Sequence, residues 1–493
     1  MKKTFLGICT VLMILILCAC NQKELSQDCE QPQIGQETQL AEEIQASKET
    51  QATEETQPKK RARADEIPKL YFEGNISEMH EKSDIRQISF QFTQNDQTTT
   101  GFCDLKIQGN SSMQYEKKNY TIKFYQDETH ETKLKMDVGW GKQSKYCLKA
   151  NWIDKTHARN VVTAKLAAQI QQKYDVLSDA PCSGLVDGFP VEIYSNGEFL
   201  GLYTFNIPKD AWQFGMDSDN PNHIVFCGEG WALSSLLWEE PDFEIWSLEV
   251  GEENAETLDK LTRLFHFIND STDAAFIADF DKHLDLDAVL NYYIIADFAY
   301  LGDNLCKNML LVTYDGEKWY PSLYDMDTSW GTHSDGKSIA DYENTDLSLF
   351  INRLFYRLES CFGDEIVDRY LELRKDILTK EHVMAEFEAF ERMIPEETIE
   401  KEQTRWGAEI PGYGYDQIEA YLDTIIPRLD RKYNDWESWF AKRDEAVNAI
   451  IANYGSAYPD IQEKLELGTN RKLQVQVGHP AVENEFHLSP NFG

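Results

Sequence analysis

Residues 301–331 read LGDNLCKNMLLVTYDGEKWYPSLYDMDTSWG. Two strand-like runs, Met309 to Tyr314 and Trp319 to Tyr324, flank Asp315-Gly316, a dipeptide that readily turns a β-hairpin. Polar residues with chemistry bracket this pair: Asp303 and Asn308 before it, Asp325 and Asp327 at its end. Upstream, LDAVLNYYIIADFAYLGD carries apolar residues at i, i+3 and i+4, so Asp303 falls at a helix end. A carboxylate at a helix end, an amide shortly after it and a carboxylate at a strand end can converge on one point. Phosphoryl transfer needs such a set: one Asp to orient the acceptor hydroxyl, and an Asn and an Asp to hold the magnesium that bridges nucleotide phosphates. Lys307 stands beside them, where an ammonium would offset phosphate charge. The spacing Asp303-x4-Asn308 equals that of the protein-kinase catalytic loop.

Working outward, the chain divides in two. Before Tyr203, the runs YFEG, DIRQISFQFTQ, TTTGFCDLKIQG and KNYTIKFYQ alternate apolar with polar residues, the period of half-buried strands in a mostly antiparallel sheet. One helix interrupts them, from Thr156 to Lys173, with Asp154 or Thr156 as its cap. Asn196-Gly197 then turns a further hairpin. After Ala255 the pattern is helical, apart from the β-pair, and resumes from Asp346 to Ile394 and from Tyr415 to Tyr454. The sequence therefore predicts an α+β protein of two lobes with a cleft between them: a sheet-rich lobe over about 68–205 and a helical lobe over about 206–455. KLQVQVG, in a tail over 456–493, is one more strand-like run.

Several residues of the first part face that cleft on this reading. Gly109, Asn110 and Ser111 form a small-residue turn that can bring backbone N–H groups against phosphate. Strand alternation puts Ile122 and Phe124 on one face and Lys123 on the other, toward the cleft. Arg159 and Asn160 open the single helix, where free N–H groups favour an anion. Each also has a plain structural reading: a turn, a solvated edge strand, and an Arg paired with a carboxylate.

Composition bounds the rest. Asp and Glu number 85 against 48 Lys and Arg, a formal net charge of −37, and the mean hydropathy is −0.52. Such a surface repels nucleic acid, so no nucleic-acid partner is expected, and a nucleotide site needs a local basic patch. The amino terminus is a secretory signal over 1–19: Lys2 and Lys3, an apolar run from Phe5 to Leu17, then Leu17-Cys18-Ala19-Cys20. That ending resembles a bacterial lipobox and places a lipid on Cys20, which anchors the protein outside the cell membrane. Residues 20–67, rich in Glu, Gln and Thr, read as a tether in which Lys59, Lys60, Arg61 and Arg63 are solvated. The remaining six cysteines are widely spaced, and neither CxxC nor HExxH occurs to suggest zinc.

Five ordered blocks carry a family resemblance: GNSSMQYEKKNYTIKF, KYCLKANWIDKTHARN, VEIYSNGEFLGLYTF, LGDNLCKN and WYPSLYDMDTSWG. In order and character they resemble the CotH family, the spore-coat-protein-H-type, atypical kinase-like proteins of bacteria. The resemblance implies a diverged protein-kinase-like fold that binds ATP with Mg2+ or Mn2+ and phosphorylates hydroxyl side chains of a protein substrate at the cell surface or coat. It makes Asp303 the catalytic Asp and Asn308 and Asp325 metal ligands, with Asp327 completing the D-x-D. It matches Gly109, Asn110 and Ser111 to the family's G-N-S block and Arg159 and Asn160 to its R-N pair. Two departures stand out: Gln108 where an Arg is frequent, and Tyr324 where a Trp usually precedes the first Asp. Two other readings compete with the kinase. One is a non-catalytic surface binding module on the same fold. The other is a glycosidase with Asp325 and Asp327 as paired carboxylates, their α-carbons about 7 Å apart on one strand face.

Overall fold

The computed structural model describes residues 63–337, 346–408, 410, 412 and 414–443. The signal segment, Cys20, the tether before Arg63, and the carboxyl-terminal stretch from 444 onward with KLQVQVG lie outside the described residues. Among the described residues, no helix is long and apolar enough to cross a membrane.

The alternating runs form strands β1 (Lys69–Glu73), β2 (Ile85–Gln94), β3 (Gln97–Gln108), β4 (Asn119–Tyr125), β7 (Lys145–Lys149), β8 (Gly188–Ser195) and β9 (Glu198–Asn206). A minor pair, β5 (Met136–Asp137) and β6 (Lys142–Gln143), lies between β4 and β7. The seven strands close into a barrel, in the order β1-β2-β3-β4-β7-β9-β8. The sheet is antiparallel except at the closure, where β1 runs parallel to β8 with Lys69 opposite Glu192. Its hairpins follow the turn chemistry: Asn95-Asp96 and Asn196-Gly197 all take positive φ, the conformation that matches strand twist in a two-residue loop. Inside, Leu70, Phe72, Phe90, Leu105, Ile122, Phe124, Leu148 and Phe205 fill the barrel. A seven-stranded barrel of this kind is plugged by its own side chains and is not a channel.

The helix that interrupts the strands is α1 (Arg159–Lys173). Asp154 Oδ2 accepts from the Arg159 N–H at 2.9 Å and Thr156 Oγ1 from the Ala158 N–H at 3.2 Å, so both candidate caps serve its start. Helices α2 (Ala255–Asp270), α3 (Asp273–His283) and α4 (Leu286–Ala299) begin at Asn254, Thr272 and Asp285, whose side chains each accept a backbone N–H of the first turn. Helix α4 is buried almost all round, because it runs through the middle of the helical body against α1, α6 (Gly363–Leu373), α9 (Tyr415–Asn434) and a strand. Helices α5 (Arg353–Cys361) and α7 (Lys380–Arg392) complete the outer layer.

Three features differ from the sequence reading. The expected β-pair, β12 (Met309–Thr313) with β13 (Trp319–Leu323), belongs to a four-stranded antiparallel sheet ordered β11-β10-β12-β13. Strands β10 (Ile224–Gly228) and β11 (Trp246–Val250) supply the rest; β10 is apolar throughout and buried on both faces, so it shows no alternation. An unanticipated helix, α8 (Glu396–Trp406), leaves the helical body and packs on β9 of the barrel. Arg63 is docked rather than solvated: its guanidinium donates to the Glu391 carbonyl at 2.9 Å and pairs with Glu396 at 3.1 Å.

Candidate active site

The loop from Tyr324 to Trp330 is pinned from several directions. Asn160 Oδ1 accepts from the Met326 N–H at 3.0 Å, and Asn304 Nδ2 donates to the Tyr324 carbonyl at 2.8 Å. Ser329 Oγ donates to the Met326 carbonyl at 2.7 Å, and the Trp330 indole donates to Thr163 Oγ1 of α1 at 2.8 Å. These bonds hold the backbone in a demanding shape: Asp325 has φ 52° and Asn308 φ 62°, left-handed values that Asp and Asn tolerate better than other side-chain-bearing residues. Backbone strain over-determined by its surroundings in this way concentrates at functional sites.

Asp303, Asn308, Asp325 and Asp327 line one cavity of about 240 Å3 between the barrel end and the helical body. Gly109, Asn110 and Asn160 line it as well. Gly109 sits at φ +103°, and a Cβ there would fall 2.0 Å from Ser112 Oγ, so the tight turn into Ser111–Gln114 requires glycine. Ser112 of the same turn lines the cavity too. The D-x-D loop, the Asp303 turn and the barrel's G-N-S turn, distant in sequence, thus share one site.

Two expected residues are elsewhere. Lys123 is exposed on the outer face of β4, since the face opposite Ile122 and Phe124 points to solvent once the sheet closes into a barrel. Arg159 is completely buried and paired with Asp154, so it fixes the start of α1 and does not line the cavity. Its neighbour Asn160 reaches the site through the bond to Met326.

The cavity also gathers lysines that sequence reasoning passed over. Lys149 Nζ, at the end of β7, lies 3.1 Å from Asp325 Oδ1. Lys209 lies between Glu229 at 3.1 Å and Glu249 at 2.9 Å, with its ammonium 4.9 Å from the Tyr324 ring centroid. Lys149 approaches the same ring at 5.4 Å. For Lys149 a signal existed: Tyr146 and Leu148 point into the barrel, so Lys149 must face out at the strand end nearest the D-x-D. For Lys209 there was none, because it lies in a loop.

The charges are strongly interdependent. Withdrawal from bulk water would raise Asp325, but Lys149, with Lys307 and Lys209 beyond, outweighs it and holds the carboxyl below its usual range. Asp327 goes the other way: desolvation, and then the Asp325 charge, push it well above the carboxylate range, with Asp303 adding to the effect. Desolvation works against the Lys307 ammonium, yet Asp303, Asp325 and Asp327 together raise its pKa. Hard oxygen donors crowded until one carboxyl retains its proton fit a divalent cation such as magnesium or manganese, and the lysines around them fit an anion.

A family model described as CotH kinase protein matches residues 105–430, a span that contains Asp303, Asn308, Asp325, Asp327 and the lysines beside them. The chain belongs to the CotH kinase family. No curated protein matches it. In this CotH-family chain Gln108 and Tyr324 meet at the cavity wall, where Gln108 Nε2 donates to the Tyr324 hydroxyl at 3.2 Å.

Proposed function

We propose that this CotH-family protein is an exported kinase that transfers the γ-phosphoryl group of ATP to Ser or Thr hydroxyls of proteins at the cell surface or spore coat, anchored to the membrane by a lipid on Cys20. The observation that carries the reading is a single cavity that joins Asp303, Asn308, Asp325 and Asp327 to Lys149, Lys209 and Lys307. In a chain of net charge −37, these lysines supply the local positive charge that an anionic nucleotide requires, beside carboxylates that suit a cation.

In this reading the barrel and the helical body are the two lobes of a diverged protein-kinase-like fold. Asn308, Asp325 and Asp327 hold the divalent cation, which when bound neutralises phosphate charge. Asp303 orients the acceptor hydroxyl and accepts its proton as the oxygen attacks phosphorus. Lys307 and Lys149 compensate the charge on the phosphate oxygens. Gly109 and Asn110 present the turn that covers the phosphates.

The test is label transfer from γ-labelled ATP, with Mn2+ or Mg2+, to extracted surface proteins. Asp303→Asn should lower transfer by about 100-fold or more while the protein stays folded. Undiminished transfer would refute the assignment.

A further inference from the structure

Strand β7 stops short of the length of its neighbour. It pairs with β9 only from Cys147 opposite Asn206 to Lys149 opposite Thr204. Beyond that point the edge of β9 has no strand partner among the described residues, and its buried backbone groups need other partners. Helix α8 and Lys117 supply them. Glu402 Oε2 accepts from the Leu202 N–H at 2.7 Å, and the Trp406 indole donates to the Leu200 carbonyl at 2.8 Å. Lys117 Nζ donates to the Leu202 carbonyl on one side of the gap and to the Ala150 carbonyl, at 3.1 Å, on the other. Glu402 Oε1 takes the third bond of this ammonium at 2.7 Å.

The side chain of Lys117 is fully buried and that of Glu402 is 7% exposed, so neither has water as a substitute partner. The Ala150 carbonyl held by Lys117 follows directly on Lys149, whose ammonium faces Asp325 in the cavity. We propose that Glu402 is a positioning residue for the cavity: through Lys117 it fixes the end of β7 and thereby holds Lys149 against Asp325. The strap α8, remote in sequence from the whole barrel, becomes part of the site's electrostatics without touching its contents. The inference is independent of what the cavity binds.

The chemistry of the carboxylate gives the test. Its two oxygens serve two donors, the Leu202 N–H and the Lys117 ammonium. A carboxamide offers one acceptor oxygen and turns its NH2 toward the other donor, so Glu402→Gln must release one of them. In the full-length chain, well below its Tm, the amine reactivity of Lys149 can be followed by pulsed acylation and mass spectrometry. Lys432, more deeply buried than Lys149 and paired with Asp297 at 2.7 Å in the helical body, reports global opening in the same sample.

Glu402→Gln should raise the acylation rate of Lys149 about tenfold while Lys432 is unchanged. An unchanged Lys149 overturns the proposal. So does an equal rise at Lys149 and Lys432, which would mean a structural role only. If Glu402→Gln does not fold, Trp406→Phe removes the indole donor and part of the ring at the same gap while leaving Glu402 in place, and should raise Lys149 reactivity by a smaller factor, about threefold, again with Lys432 unchanged.

Discussion

Gln108 Nε2 donates to the Tyr324 hydroxyl across 3.2 Å, joining the end of β3 to the residue before the D-x-D. Both residues, read from the sequence as departures from the CotH resemblance, therefore belong to one structural unit. Tyr324 is nearly buried, at 6% exposed, and has two lysine ammoniums near its ring. Tyr324→Phe keeps the ring for both cations and leaves the Gln108 amide without this partner, and should cost about 1 kcal/mol in urea unfolding. In the Gln108→Leu background the same change should cost markedly less, since the bond is already gone. Additive costs would mean that the two residues do not act together.

Lys123 and Arg159 should behave in opposite ways. Lys123→Ala, on the solvated outer face of the barrel, should alter stability by no more than about 0.5 kcal/mol and leave ligand binding unchanged. Arg159→Met leaves Asp154 buried without its cation and should destabilise by about 3–5 kcal/mol. A binding defect in folded Lys123→Ala would restore that residue to the site.

Stability should fall in mild acid partly because of His157. It is 4% exposed, and burial first, then the nearby Lys117 ammonium, depress its pKa well below the usual histidine value. The unfolded chain therefore takes up a proton near pH 6.5 that the folded chain refuses. The stabilising contribution is complete above that pH and is lost as pH falls below it, by up to about 1.4 kcal/mol per unit. His157→Asn suits the left-handed φ of 56° and should flatten the loss between pH 6.5 and 5 in urea titrations. An unchanged slope would assign the acid sensitivity to other groups.

Legibility in the sequence followed the physics of each element. The barrel strands alternate, and the Asn196-Gly197 and Asp315-Gly316 turns announce themselves, so most of the β-structure could be located. Closure of the sheet could not, because the parallel pairing of β1 with β8 joins segments more than a hundred residues apart and leaves no local mark. Strand β10 was hidden by burial on both faces, and α8 by its docking on the barrel. In the site, Asp303, Asn308, Asp325 and Asp327 were readable from their spacing together with the ordered blocks around them, since Asp and Asn alone are common at element ends. Lys209 was not, since a lysine in a loop is ordinarily solvated; alternation with Tyr146 and Leu148 marked Lys149 as outward at a strand end, but only tertiary packing sets it beside Asp325. Closure also explains why Lys123 was misplaced: in a barrel, the face opposite the apolar one points outward.

The central claim is that the cavity holds a nucleotide through a divalent cation at the D-x-D. The most direct measurement is the Tm of the full-length chain titrated with ATP and Mn2+ together, with each alone, and in the Asp325→Asn variant, which keeps the left-handed backbone but removes a charge. The account predicts that Tm rises only when both are present, with about 2.7 kcal/mol of stabilisation at a hundredfold excess over Kd, and that the variant needs at least about tenfold more ligand for the same rise. No rise at millimolar ATP and Mn2+, or an equal rise in Asp325→Asn, would contradict it.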